Sequence, residues 1–268
     1  ERPAEHLRAG RLLLAGTRQK NTEEKLFTIL EQLNRGKGLI TSGEERIQVA
    51  RLNYRAGLKA RQSTAFDLAY KFLSFAVELL DDTSWKDAYE FTLAVYSDAA
   101  EAACLSGDHE EMLRLGTVIL ARAGTLVDRA PFYIVNIASL SARGRFKEAL
   151  DIGLDILGRL NFRIPREPRR FHLIAGFLKA RAALRGKSPE EIAAFPELTD
   201  PRLLAIMGLV DCLVNVAFNS SPDVLALLNF KSVCLLAGRR VSCRYSRMLM
   251  CMFGMVFLIS THNRVDAG

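Results

Sequence analysis

Gly107-Asp108-His109-Glu110-Glu111-Met112 and, 37 positions further on, Gly144-Arg145-Phe146-Lys147-Glu148-Ala149 are two copies of one short signature, each inside a long stretch of apolar residues at helical spacing. Each copy reads as the turn of a helix-turn-helix repeat. Glycine closes the first helix in the left-handed conformation, which it adopts without Cβ strain, and an aromatic residue or histidine wedges between the two helices. A small residue three positions on lets the helices approach closely. Pairs of this kind bury their apolar faces only against neighbouring pairs, so the signature predicts an all-α helical solenoid whose concave surface serves recognition rather than chemistry.

Composition points the same way. With 49% hydrophobic and 25% charged residues, the chain can bury a core throughout its length and is not of the disordered class. Glycine and proline lie mostly between the periodic segments, and alternating runs of strand type are nearly absent. The net charge of +7 would suit nucleic acid, acidic lipid or an acidic protein. Arginine is interleaved with Glu and Asp over most segments, however, whereas a nucleic-acid binder concentrates basic residues and exposed aromatics on one face, so nucleic acid is disfavoured.

The five cysteines, Cys104, Cys212, Cys234, Cys243 and Cys251, are odd in number and lack C-x-x-C spacing. They read as reduced core thiols of a cytoplasmic protein rather than as a disulfide framework or a zinc site. No basic-then-apolar leader opens the chain and it lacks an initiator Met, which reads as a piece of something longer. The most apolar stretch, Met248 to Ser260, lies between Arg247 and His262 and is shorter than the roughly twenty residues of a membrane span.

About twelve helices are expected. They are Pro3 to Gly16; Thr22 to Gly36, opened by Asn21; Arg46 to Gln62, behind a capping box of Ser42 and Glu45; Phe66 to Leu80; Trp85 to Leu105; Asp108 to Ala123; Ala130 to Ala142; and Phe146 to Leu160. Two prolines break the rhythm between Phe162 and Arg170. Beyond the break come Phe171 to Leu184, a long connection with a short helix, Leu203 to Phe218, Pro222 to Leu236 and Val241 to Ser260. Three of the starts after the break share one device, a capping residue followed by proline, at Ser188-Pro189, Asp200-Pro201 and Ser221-Pro222.

Two basic groups are candidate partner-binding sites. Arg51, Arg55 and Lys59 recur every four residues and form a stripe along one helix. Arg159, Arg163, Arg166, Arg169 and Arg170, with His172 nearby, form the densest cluster, in the segment broken by proline. An acidic domain or a phosphate could dock there, and an ordinary solvated surface explains either group equally well.

Three other features bear on chemistry. Gly186-Lys187-Ser188 resembles the end of a P-loop, but position 181 is Arg and no strand precedes it, so Ser188 reads as a helix cap answered by Glu191. Asp211, inside an apolar run, reads as a buried carboxylate that anchors a neighbouring helix or lines a pocket. His6, His109, His172 and His262 are scattered, and no set of nucleophile, base and orienting group can be nominated. Neither cofactor nor metal is expected.

The stretch Leu26 to Ala60, LFTILEQLNRGKGLITSGEERIQVARLNYRAGLKA, resembles the segment that follows the ATPase module in very large bacterial signalling proteins. These combine a serine/threonine-kinase-like domain, a STAND-class AAA ATPase, a TPR-like helical region, a GAF domain and often a histidine kinase. Ser63 to Leu80, the turn at Gly107, GRFKEALDIGLDIL from Gly144 to Leu157, LNFRIP from Leu160 to Pro165 and ELTDPRLLAIMGLV from Glu197 to Val210 resemble stretches of that region in the same order.

The resemblance implies a TPR-like solenoid of antiparallel helix pairs in a right-handed superhelix. It is divided into 1–40 after the ATPase module, 41–165 as helix-pair repeats and 166–268 as continuing repeats. It also implies a non-catalytic sensor or scaffold, which couples a protein partner, another domain of the parent chain or a small inducer to ATPase or kinase output. A free-standing adaptor for an acidic peptide, or an enzyme whose pocket lies between helices and uses Asp211, are the alternatives.

Overall fold

The computed structural model describes residues 2–16, 19–243, 251, 253 and 254, with the side chains of 19–24 and 189 excepted. Among the described residues the chain is all-α, with thirteen α-helices. They are α1 (Arg2–Gly16), α2 (Gln19–Arg35), α3 (Gly43–Gln62), α4 (Phe66–Leu79), α5 (Ser84–Asp87), α6 (Tyr89–Leu105), α7 (His109–Arg122), α8 (Leu126–Ala142), α9 (Phe146–Arg159), α10 (Arg170–Leu184), α11 (Pro189–Ala193), α12 (Pro201–Ser220) and α13 (Pro222–Arg239). A 3-10 turn, Lys37–Leu39, joins α2 to α3. The expected helix from Val241 to Ser260 falls largely outside the described residues.

Four chain reversals share one geometry. The second residue past the helix, Thr64, Gly107, Gly144 or Asn161, sits at φ +57°, +86°, +72° and +62°. The next N–H, from Ala65, Asp108, Arg145 or Phe162, donates to the carbonyl five residues back, on Ala60, Ala103, Leu140 or Leu157, at 3.0, 2.8, 2.9 and 2.8 Å. This is the Schellman closure, which satisfies carbonyls left open by the helix end. After the two glycine turns, His109 and Phe146 are half-buried and Met112 and Ala149 are buried, as the repeat signature requires. Ala69, three residues after Phe66, takes the same place behind the turn at Thr64.

The chain forms two compact units, Glu1–Gly124 and Thr125–Gly268. In the first, sequence neighbours are spatial neighbours: α1 packs on α2, α2 on α3, α3 on α4, α4 on α6 and α6 on α7. Two side-chain devices join α2 and α6 to α3. Asn34 and buried Asn53 exchange amide hydrogen bonds at 2.8 and 2.9 Å. Asp98 accepts from the Tyr54 hydroxyl at 2.6 Å and from Arg61 at 2.9 Å, and Arg61 also reaches Glu101 at 2.5 Å.

In the second unit α8 pairs with α9, and α12 packs on both of them and on α13. α10 packs chiefly on α13 rather than on α9, which precedes it. The close approach of α9 to α12 rests on Gly153, where a Cβ would stand 2.4 Å from Leu213 Cδ2. α12 is long and apolar enough to cross a membrane by length and composition. Its rows Leu203, Ile206, Met207, Val210, Leu213 and Ala217 are instead buried against other helices, as in a core helix.

Several expected boundaries are corrected. Asn21 does not open α2, which begins at Gln19. The stretch from Trp85 to Leu105 is two helices, because Ala88 leaves the helical region at φ −141°, ψ 48°. α8 begins at Leu126 rather than Ala130, opened by a capping box of Thr125 and Asp128 and carrying Pro131 within its second turn. At α3 only half of the expected box forms. The Ser42 hydroxyl accepts from the Glu45 N–H, but the Glu45 carboxylate is held by both guanidinium arms of Arg11 at 2.7 Å.

Candidate binding site

The segment Leu160-Asn161-Phe162-Arg163-Ile164 turns out of α9 through the left-handed Asn161, and its side chains then alternate between core and solvent. Leu160, Phe162 and Ile164 are buried in the core of the second unit, while Asn161 and Arg163 are exposed. Two cations from neighbouring helices fix the segment's carbonyls. Arg202 at the start of α12 donates to the Leu160 carbonyl at 2.6 and 3.2 Å, and the Lys231 ammonium of α13 donates to the Arg163 carbonyl. Lys231 also lies 5.9 Å from the centre of the Phe162 ring. Burial and the neighbouring Lys179 hold the Lys231 ammonium below the usual lysine value.

On this base, Arg159, Arg163 and Arg166 line one shallow groove of about 560 Å³, together with Asp155, Asn161 and the apolar Leu154 and Ile164. All three arginines are exposed. Arg166 lies 3.6 Å from Asp151, a loose pair in open solvent, so Asp155 and Asp151 offset only part of the charge. Guanidinium forks at this spacing present donors suited to carboxylate or phosphate oxygens.

The other two arginines of the cluster do not line the groove. Arg169 precedes α10, where its N–H donates to His172 Nδ1 at 3.0 Å, and Arg170 is the first residue of that helix. Both are exposed. The stripe Arg51, Arg55 and Lys59 lies exposed on α3 in the first unit. Its ends rest over aromatic rings, with Arg51 4.4 Å from the centre of Phe91 on α6 and Lys59 5.9 Å from that of Phe27 on α2. Sequence reading passed over Tyr54, Arg61, Asp98 and Glu101, which form the ion-pair network beside the stripe. Their one signal is a tyrosine and an arginine seven apart on α3, which share a helix face.

The remaining candidates take plain places. Ser188 and Glu191 form the capping box of α11 at 3.2 and 3.0 Å, and the Lys187 ammonium donates to the Ala183 carbonyl at the end of α10. Asp211 is only half-buried, because it faces sideways on α12 rather than into the core, which corrects the expectation of a buried carboxylate. The thiols are likewise less deep than expected. Cys104, Cys212, Cys234 and Cys243 are half-buried, Cys251 is exposed, and all five are outside any disulfide. Burial pushes the Cys212 thiol up to about 11, with Asp211 adding to the effect.

No family model matches the chain, and no solved structure matches it. Over 143 residues, half of its length, the chain is 27% identical to the hybrid signal transduction histidine kinase G of Dictyostelium discoideum. The matched stretch is 4% of that much longer protein. What the comparison gives is a likeness, over half of this all-helical chain, to a small part of a signal-transduction histidine kinase.

Proposed function

We propose that the chain is a non-catalytic, partner-binding region of a cytoplasmic signal-transduction protein whose catalysis resides in other domains. The observation that carries the reading is the groove in which Arg159, Arg163 and Arg166 stand together on a segment clamped by Arg202 and Lys231. It offers charged donors to an acidic partner segment or a phosphate. The likeness to the hybrid histidine kinase supports the signalling context. The ordered series of stretches from Leu26 to Val210 supports the finer reading, a TPR-like region beside a STAND-class ATPase module. There, engagement of a partner or inducer biases ATPase or kinase output through the packing of the repeats.

The test is Arg159→Ser, Arg163→Ser and Arg166→Ser together in the full-length protein. Loss of activation, with the helicity of the region intact and the basal ATPase rate unchanged, is the expected result. Full activation would return the groove to an ordinary solvated surface. Loss of partner binding with unchanged output would instead favour a free-standing adaptor for an acidic peptide.

A further inference from the structure

α10 is apolar on two sides. Its inner row, Leu173, Phe177, Ala180 and Leu184, belongs to the core of the second unit, with Phe177 5.8 Å from Phe230 of α13. Its outer row, Phe171, Ile174 and Leu178, is 58%, 61% and 53% exposed. Spacings of three and four residues put these side chains on one face over about 10 Å, at 1.5 Å per residue. A surface helix needs only one apolar stripe, and a second contiguous stripe marks a contact. Among the described residues, the other large exposed apolar side chains stand singly or in twos on their elements, as Leu68, Leu113 and Phe218 do.

Two further observations say what fits. Beyond Leu178 the surface dips into a groove of about 670 Å³ with Leu178, Ala182, Leu184 and Phe253 in its lining and Arg181 and Arg185 beside them. Every charged residue of α10, Arg170, Lys179 and Arg181, is basic, and Arg169 immediately before it and Arg185 and Lys187 after it are basic too. Like charge opposes a second copy of the same face. A flat anionic bilayer would meet the row but not enter the groove.

We propose that the outer face of α10 is a docking site for an amphipathic helix whose apolar row is flanked by Asp and Glu. The helix lies along Phe171, Ile174 and Leu178 with one end in the groove. This is helix-in-groove recognition, with the apolar row supplying affinity and the surrounding cations choosing the partner. It rests on α10 and not on the arginine groove at the end of α9, so the two surfaces fail separately.

The experiment uses the whole 268-residue chain. The probes are a fluorescent amphipathic peptide of about five helical turns with Leu at the a and d positions and Glu elsewhere, its counterpart with Lys for Glu, and phosphatidylcholine vesicles containing phosphatidylserine. The Glu peptide should bind saturably at low salt and weaken roughly tenfold or more near 0.5 M salt. Ile174→Gln with Leu178→Gln should weaken it by at least about tenfold, whereas the triple serine variant of Arg159, Arg163 and Arg166 should bind within about twofold of the parent. If the glutamine pair alters melting, Phe171→Ser alone reads the same row. Equal binding of both peptides, no binding of either, or sedimentation with the vesicles in place of peptide binding would overturn the proposal.

Discussion

Replacing Thr64 by glycine should make the first unit more stable, although it deletes a side chain and creates no contact. Thr64 holds the left-handed position of its turn at φ +57°, where Gly107 and Gly144 stand in two of the sister turns. An L-residue there carries roughly 1–2 kcal/mol of strain, and branching at Cβ places threonine toward the upper end. Glycine removes that strain. Against it stand about 0.4–1 kcal/mol of extra freedom in the unfolded chain and the exposed bond from the Thr64 hydroxyl to the Ser63 carbonyl at 2.7 Å, which competes with water.

The net gain is about 0.5–1 kcal/mol, which raises the midpoint of a unit of this size by about 2–4 °C. Thermal and urea unfolding of Thr64→Gly measure it, with Gly107→Thr as the mirror experiment. A Cβ at Gly107 meets no atom within 4 Å, so any loss there comes from the backbone alone. A lower midpoint for Thr64→Gly, or an unchanged one for Gly107→Thr, would refute the reasoning.

Gly153→Ala should cost about 1–3 kcal/mol by urea unfolding, because its Cβ would meet Leu213 at 2.4 Å, and Leu213→Val in the same chain should recover part of the loss. α10 begins with Arg170 and has no acidic residue in its first turn, so Arg170→Glu should stabilise by about 0.3–1 kcal/mol at low salt and far less at 1 M salt. Burial and the bond to Asp98 raise the Tyr54 phenol well above the usual tyrosine value near 10. The native state then holds that proton while the unfolded chain releases it, so stability is complete below about pH 10 and falls as pH rises above it; Tyr54→Phe should flatten that limb in melting curves taken from pH 8 to 11.

The repeat turns were legible where glycine marked them. Gly107 and Gly144 announce a left-handed residue, whereas Thr64 and Asn161 hold the same conformation with side chains that give little or no notice of it, so the breaks after Gln62 and Leu160 were placed but their shared geometry was not. The start of α8 was hidden by Pro131, which suggests an N-terminus at Ala130, while the capping pair Thr125 and Asp128 lay five residues earlier. Glu45 fitted a capping box locally, but its partner is Arg11, 34 residues away, and a long-range ion pair leaves no mark on local spacing. The basic cluster was legible as a cluster. Which arginines share a groove depends on the alternation of buried and exposed side chains around Phe162 and on α10 turning to pack on α13, and neither follows from the spacing of arginines.

The clamping of Leu160 and Arg163 by Arg202 and Lys231 has a kinetic consequence for the groove they support. A loop that must first become ordered slows capture, because each encounter waits for the right backbone shape. Here the backbone carbonyls are already tethered from two helices, and Phe162 and Ile164 are already buried. Capture of an acidic partner should then be a single docking event steered by long-range charge. Added salt should slow arrival steeply while leaving the lifetime of the formed complex much less changed.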